Sequence, residues 1–366
     1  MQVLKTRLLL AVAALLALAV CAALPRGVES ARLLAAADDP AQLTDIQLAG
    51  SFDAAVARRE IEAALAAGDT ELAQSFLDLA AEQQVDVDSG LQARVRDAVA
   101  VENSTTGQAG RFARGFVTGE PQDVTELAGT LTGDLFVFGD IRDVVREAGR
   151  GLRGEQVDEL ILGLACLGLA VTGGTYATFG AAAPARVGLS VAKAAGRAGR
   201  MSARMTEALV RPLRAAVDGE ALKAALGPRA WLQPAVAVRG VRAAVKLDKV
   251  HDLVRMAGDV GKLQGKAGTR AALDGLRLAE GTKDVEKLAR LAAAKGGKTR
   301  AVLKLLGRGA IALGLGLFQL ASGMFWALFS LVGLVAALKR LAERAAQRVI
   351  EARKRRRAAN VVPAAA

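Results

Sequence analysis

A single histidine limits the catalytic chemistry open to this chain. His251 lies in "KLDKVHDLVRM", where Asp248 and Asp252 are close enough on a helix to pair with its ring. No second histidine can join it at a metal, and any Ser-His or Cys-His relay would depend on it alone. A structural histidine is the simpler expectation. Asp140, Asp143 and Glu147 recur at i, i+3, i+7, so one helical stripe carries three carboxylates that could face a hard cation. Arg142 and Arg146 interleave with them, and helix capping with local ion pairing accounts for the pattern more simply.

Two glycine motifs suggest phosphate binding and fail on context. Gly149, Gly151 and Gly154 fit G-x-G-x-x-G, which binds dinucleotides only between a strand and a helix with an acidic residue about 20 positions on. Here the preceding "DIRDVVREAG" has helical periodicity, with Ile141, Val144, Val145 and Ala148 on one face, and residues 160–183 carry no charge. The glycines are expected to end one helix before the next. "GGKT" at 296–299 lacks the earlier glycine of a phosphate loop, since position 292 is Ala. A helix end and restart is expected there. We therefore assign no catalytic, cofactor-binding or metal-ligating residue and expect a non-enzymatic protein without a cofactor.

The elements around these residues are helical. Ala, Leu, Gly and Arg dominate, hydrophobic residues make up 52% and aromatics 4%, and long Val/Ile/Tyr-rich runs are missing. The expected class is all-α: a helical membrane protein with short helical hairpins and Gly-rich membrane segments. Residues 1–24 form a signal peptide or signal anchor, with Lys5 and Arg7 before the uncharged run Leu8–Leu24; cleavage after Ala22 and retention are both open. Residues 309–338 hold thirty uncharged positions, more than the roughly 20 that cross a bilayer. Small residues at Ala312, Gly316 and Gly323 are expected to admit another helix closely, from this chain or a second copy. Residues 160–183 are long enough to span but diluted by glycine and threonine. A marginal membrane segment and a buried hairpin broken at Gly173-Gly174 both fit.

Charge divides the rest. Residues 25–159 hold 12 basic and 25 acidic side chains, a net of −13, and 184–308 hold 26 and 10, a net of +16. Such asymmetry suggests separate compartments or a polyanionic partner, and near a membrane the basic helices of 184–308 are expected to meet anionic lipid headgroups. The tail 339–366 carries a net of +7, which places it in the cytoplasm, with Arg353, Lys354, Arg355, Arg356 and Arg357 meeting anionic lipid headgroups. Between Phe179 and Phe318 the only aromatic is Trp231, so stacking platforms for single strands are lacking and no specific nucleic-acid partner is expected. Within the acidic region, 53–101 patterns as two amphipathic helices joined at Gly68-Asp69 and a third capped by Asp88 or Ser89, an expected surface for a protein partner. Neither Cys21 nor Cys166 belongs to a disulfide framework.

The block "LTGDLFVFGDIRDVVREAGRGLRGEQVDELILGLACLGLAVTGG" with the basic helices after it resembles a family of proteobacterial membrane proteins to which no activity is attached. Part of it is also similar to the pre-toxin segment of polymorphic toxins. The first resemblance covers most of residues 110–340 and implies a membrane protein; the N-terminal signal or anchor places the chain after residue 24 on the periplasmic side of an inner membrane, and the expected role is structural or interaction-based. The second implies a toxin-related or pore-forming membrane effector as the alternative.

Overall fold

The computed structural model describes residues 2–104, 132–177, 183–226, 234–312 and 316–359. Among them there is no strand; the single isolated bridge pairs Val217 with Val245. The chain divides into two units, residues 39–312 and the terminal segments 1–38 with 313–366.

In the larger unit α2 (Pro40–Ala49), α3 (Ala54–Ala66), α4 (Thr70–Glu82) and α5 (Ser89–Asn103) come first. Aspartates start each of them: Asp39, Asp53, Asp69 and Asp88 accept hydrogen bonds from the free amides of the first turn. α3 and α4 pack together across the turn at Gly68. α6 (Thr132–Leu152) contains Gly149 and Gly151 within its last turns rather than after them. It ends at Gly154, whose positive φ of 72° lets the Gly154 and Glu155 amides donate back to Gly151 and Arg150.

α7 (Glu159–Ala177) is the centre of this unit. Leu160, Ile161, Leu164–Leu167 and Leu169 are all buried, and α6, α8 (Ala183–Arg197), α9 (Ala203–Ala216) and α11 (Pro234–Ala243) surround it. Its Gly173-Gly174 pair does not break it, since the helix continues to Ala177. Around α7 the chain forms α8, α9 and α10 (Gly219–Ala225) as separate helices, because Ser202 and Asp218 cap new starts. α11 likewise stops at Ala243, next to the point where Val217 and Val245 pair and clasp two helix ends.

α12 (His251–Ala267) organises the other half with α13 (Thr269–Leu278), α14 (Thr282–Lys295) and α15 (Thr299–Leu306). At Gly296-Gly297 one helix stops and a short turn leads into the next, as the spacing predicts. The two halves meet where α8 crosses α12 backbone against backbone. A Cβ built on Gly188 would lie 1.7 Å from the Ala257 carbonyl oxygen, and one on Gly261 1.9 Å from that of Pro184. Only glycine at both positions allows this approach. One continuous apolar core runs from Leu48 to Ile311.

The terminal unit is α1 (Gln2–Ala35) packed on α16 (Gly316–Ala359). α1 runs on past Leu24 and through Pro25, and α16 carries the apolar stretch and the basic tail as one uninterrupted helix.

Candidate functional site

Folding brings the acidic first half of the chain onto the basic second half. Arg300 is the clearest case. It donates two parallel 2.8 Å hydrogen bonds to Asp69, a third of 3.1 Å to Asp274, and lies 3.8 Å from Glu71. Arg270 adds a 3.2 Å bond to Asp69. Burial alone would raise the Asp69 carboxyl, but the hydrogen bonds and charge of Arg300 hold it below the usual range. For Glu71 burial prevails and the carboxyl is raised. Beside this group Thr70, Glu71, Gln74, Asp78, Glu102 and Arg270 line a cleft of about 340 Å³.

A second cluster joins Lys295, itself buried, to Asp45 and Glu82, with Lys298 on the same Glu82. Nearby, the Ser75 hydroxyl donates to the Gly297 carbonyl at 2.7 Å and accepts from the Ala301 amide at 2.9 Å. These bonds span more than two hundred residues of sequence.

The third cluster absorbs the carboxylate stripe. Asp140, Asp143 and Glu147 are buried. Lys193 pairs with Asp140 and reaches Asp143 at 3.3 Å, and Arg197 pairs with Asp143. Glu147 accepts from Arg150 and, at 3.0 Å, from the Asp158 amide. The stripe thus faces cations of this chain and cements α6 to α8. Asp140 approaches the α7 backbone so closely that a Cβ on Gly168 would lie 2.2 Å from its carboxylate. Burial raises the Asp140 carboxyl despite Lys193, and burial with the Asp140 charge pushes the Cys166 thiol up to about 12.

These contacts correct the compartment reading of the charge asymmetry. The basic segment finds its polyanion in the acidic segment of the same chain, so 39–159 and 184–308 belong to one folded body. The apolar faces of 53–101 are also occupied internally: Ile61, Phe76, Leu79 and Ala80 are buried in the common core. They are not displayed to a partner.

His251 is exposed at the start of α12, and Asp252 pairs instead with Arg255 at 3.4 Å. Among the described residues no group of three His, Cys, Asp or Glu is placed to hold a metal ion.

The predicted membrane-packing residues fall differently. Ala312 sits in a bend and Gly316 is the first residue of α16. Gly323 lies inside α16. The close approach comes further along, where a Cβ on Gly333 would lie 3.3 Å from Leu16. The less exposed positions of α1 run Ala13, Leu16, Val20, Ala23, Gly27, Ser30, and those of α16 run Ala327, Ser330, Leu334, Ala337, Leu341, Arg344. Both alternate steps of three and four, the seam of left-handed helix pairing. That repeat was present in the sequence, but composition alone hid it because most of its members are small.

Outside the seam the pair is apolar. Leu15, Leu18, Phe325, Trp326, Leu328 and Val332 are each at least 60% exposed. Arg353 and Lys354 lie exposed near the end of the same helix, whereas the side chains of Arg355, Arg356 and Arg357 lie outside the described residues. Comparison of the chain with family models, curated proteins and solved structures returns no match.

Proposed function

We propose that the chain is a non-enzymatic interaction protein anchored in a bacterial inner membrane by α1 and α16. The observation that carries this reading is the inside-out character of the terminal unit, where small side chains fill the seam and large apolar ones face outward. At 1.5 Å per residue the 34 residues of α1 and 44 of α16 extend about 51 and 66 Å, against a bilayer core of roughly 30 Å. Each helix crosses once. Lys5 and Arg7 at one end and the +7 tail at the other then lie on the cytoplasmic side, and residues 39–312 face the periplasm.

The burial of α7 supports two crossings rather than three, and two crossings put both basic ends on one side. The α1 seam continues across Ala22, which supports a retained anchor over a cleaved signal. Small side chains closing the seam support an anchor over a pore-forming effector. Headgroup contact falls to Lys339 and Arg340, exposed next to the apolar segment of α16.

Single cysteines test this reading in a background lacking Cys21 and Cys166. Cysteine at Glu62 and Asp252, both exposed, reports the acidic and basic segments, and cysteine at Glu351 reports the tail. An impermeant thiol reagent should label 62 and 252 in intact spheroplasts and 351 only after permeabilisation. Labelling of 351 in intact spheroplasts, or of only one of 62 and 252, overturns the topology.

A further inference from the structure

Most cations of residues 184–308 are paired within the chain, but six exposed ones are not. Among the described residues, Arg200, Lys249, Lys266, Arg277, Lys283 and Lys304 make neither an ion pair nor a side-chain hydrogen bond.

Four of the six gather around one loop. The loop is Ala279–Gly281, between α13 and α14, and two other parts of the chain converge on it. Ser202 donates its hydroxyl to the Ala279 carbonyl, Arg204 donates to Glu280 at 2.8 Å, and Arg308 donates to the Leu278 carbonyl at 2.7 Å. Arg200 stands two residues before Ser202 and Arg277 two before Ala279. Lys283 stands two residues after Gly281, and Lys304 one helical turn before Arg308. Six cations thus meet two carboxylates, Glu280 and Asp284, which Arg204 and Arg308 already hold. The carboxylates next along the helices have partners of their own: Asp274 on Arg300, Glu207 on Arg211 and Glu286 on Arg290. The excess is four exposed positive charges.

The place of this loop in the chain indicates what the excess meets. Arg308 is the last charged residue before the uncharged stretch 309–338. Only three residues follow Ala312 before α16 begins, about 15 Å of chain at full extension. α2 begins four residues after α1 ends and holds the same point, since Gln47 donates to the Gly309 carbonyl at 2.9 Å. Both connections to the membrane helices therefore run from the neighbourhood of Arg308 on short tethers. Nucleic acid fits this surface less well, because Trp231 is the only aromatic between Phe179 and Phe318.

We infer that the Ala279–Gly281 loop and the four cations around it form a docking surface for anionic lipid headgroups of the leaflet that faces residues 39–312. Arg200, Arg277, Lys283 and Lys304 supply the charge. The inference rests on the anchoring reading for placing a bilayer at the start of α16.

The test is lysine acetylation by a soluble reagent, read by mass spectrometry on the full chain in nanodiscs. Lys283 and Lys304 report the surface; Lys249 and Lys266, equally unpaired near the two ends of α12, are the controls. Replacing phosphatidylcholine by a mixture rich in phosphatidylglycerol should slow acetylation of Lys283 and Lys304 about threefold or more and leave the controls unchanged. High salt should remove the difference. Arg200→Glu with Arg277→Glu should remove it too, with the urea midpoint unchanged because both side chains are exposed.

Equal slowing of all four lysines would reduce the effect to a general field and overturn the inference, as would no slowing at all. Slowing by added polyglutamate, without a response to phosphatidylglycerol, would overturn it in favour of an acidic protein. Failure to enter nanodiscs refutes the anchoring reading, and the same four lysines then test the inference against phosphatidylglycerol vesicles.

Discussion

Three glycines in one helix give opposite expectations for the same substitution. Gly258, Gly261 and Gly265 all lie in α12, and each is a backbone weak point that alanine relieves by roughly 0.5–1 kcal/mol where space allows. Around Gly258 and Gly265 nothing lies within 4 Å of an added Cβ. At Gly261 the new methyl would sit 1.9 Å from the Pro184 carbonyl oxygen, where ordinary contact begins at 3.4 Å. α8 and α12 must therefore part locally by about 1.5 Å, the difference of those two distances. The clash is with backbone, so no rotamer change relieves it, and the cost falls at the upper end of the roughly 1–3 kcal/mol typical of overpacking. After the helix-propensity gain, Gly261→Ala should lose about 2 kcal/mol, a fall of roughly 4–8 °C in Tm for a unit of this size. Gly258→Ala and Gly265→Ala should hold or gain stability. Cys166 offers the assay, because its buried thiol reacts only when the 39–312 unit opens. Thiol labelling along a urea series, with Cys21→Ser as background, gives each midpoint. Gly261→Ala as stable as Gly258→Ala would refute the backbone-to-backbone crossing.

The buried charge cluster behaves as a unit. Lys193→Met strands Asp140 and part of Asp143 and should cost about 3–5 kcal/mol by urea denaturation, while adding Asp140→Asn should recover part of it. Asp69, held below its ordinary value, stabilises the fold above the unfolded carboxylate pKa of about 3.9, and that contribution is lost as pH falls through its lower folded value. Glu71 and Asp140, raised by burial, act in the opposite sense, gaining stability as acidification neutralises them. Asp69→Asn should thus flatten the acid limb of a stability profile below about pH 4; an unchanged limb refutes the Arg300 pairing. The Cys166 thiol, raised to about 12, should resist thiol reagents at pH 8 in the folded chain and react fully in denaturant. Mass spectrometry of peptides from the membrane-extracted protein should recover sequence on both sides of Ala22 in one peptide, and a new N-terminus at Ala23 would refute the retained anchor.

Local signals predicted local structure. The aspartates at 39, 53, 69 and 88 are helix caps because capping needs only a carboxylate and the next three amides. The glycine pair at 296–297 ends a helix for equally local reasons. Cation pairing by Asp140, Asp143 and Glu147 was half legible. Their shared face follows from spacing, but Lys193 and Arg197 come from a helix some fifty residues on, and neighbouring arginines offered a nearer explanation.

By itself the sequence pointed to a helical chain with three segments long enough to cross a membrane, at 1–24, 160–183 and 309–338, and a strongly basic tail. Hydropathy and helical period are sums over neighbouring residues, so they survive without knowledge of the fold. Tertiary structure decided the rest. The apolar run from Leu160 is the centre of a core because four helices cover it, and no window of sequence counts its neighbours in space. The acidic and basic segments form one body because Asp69 meets Arg300 across 231 residues, where Coulomb attraction depends on distance in space and not along the chain.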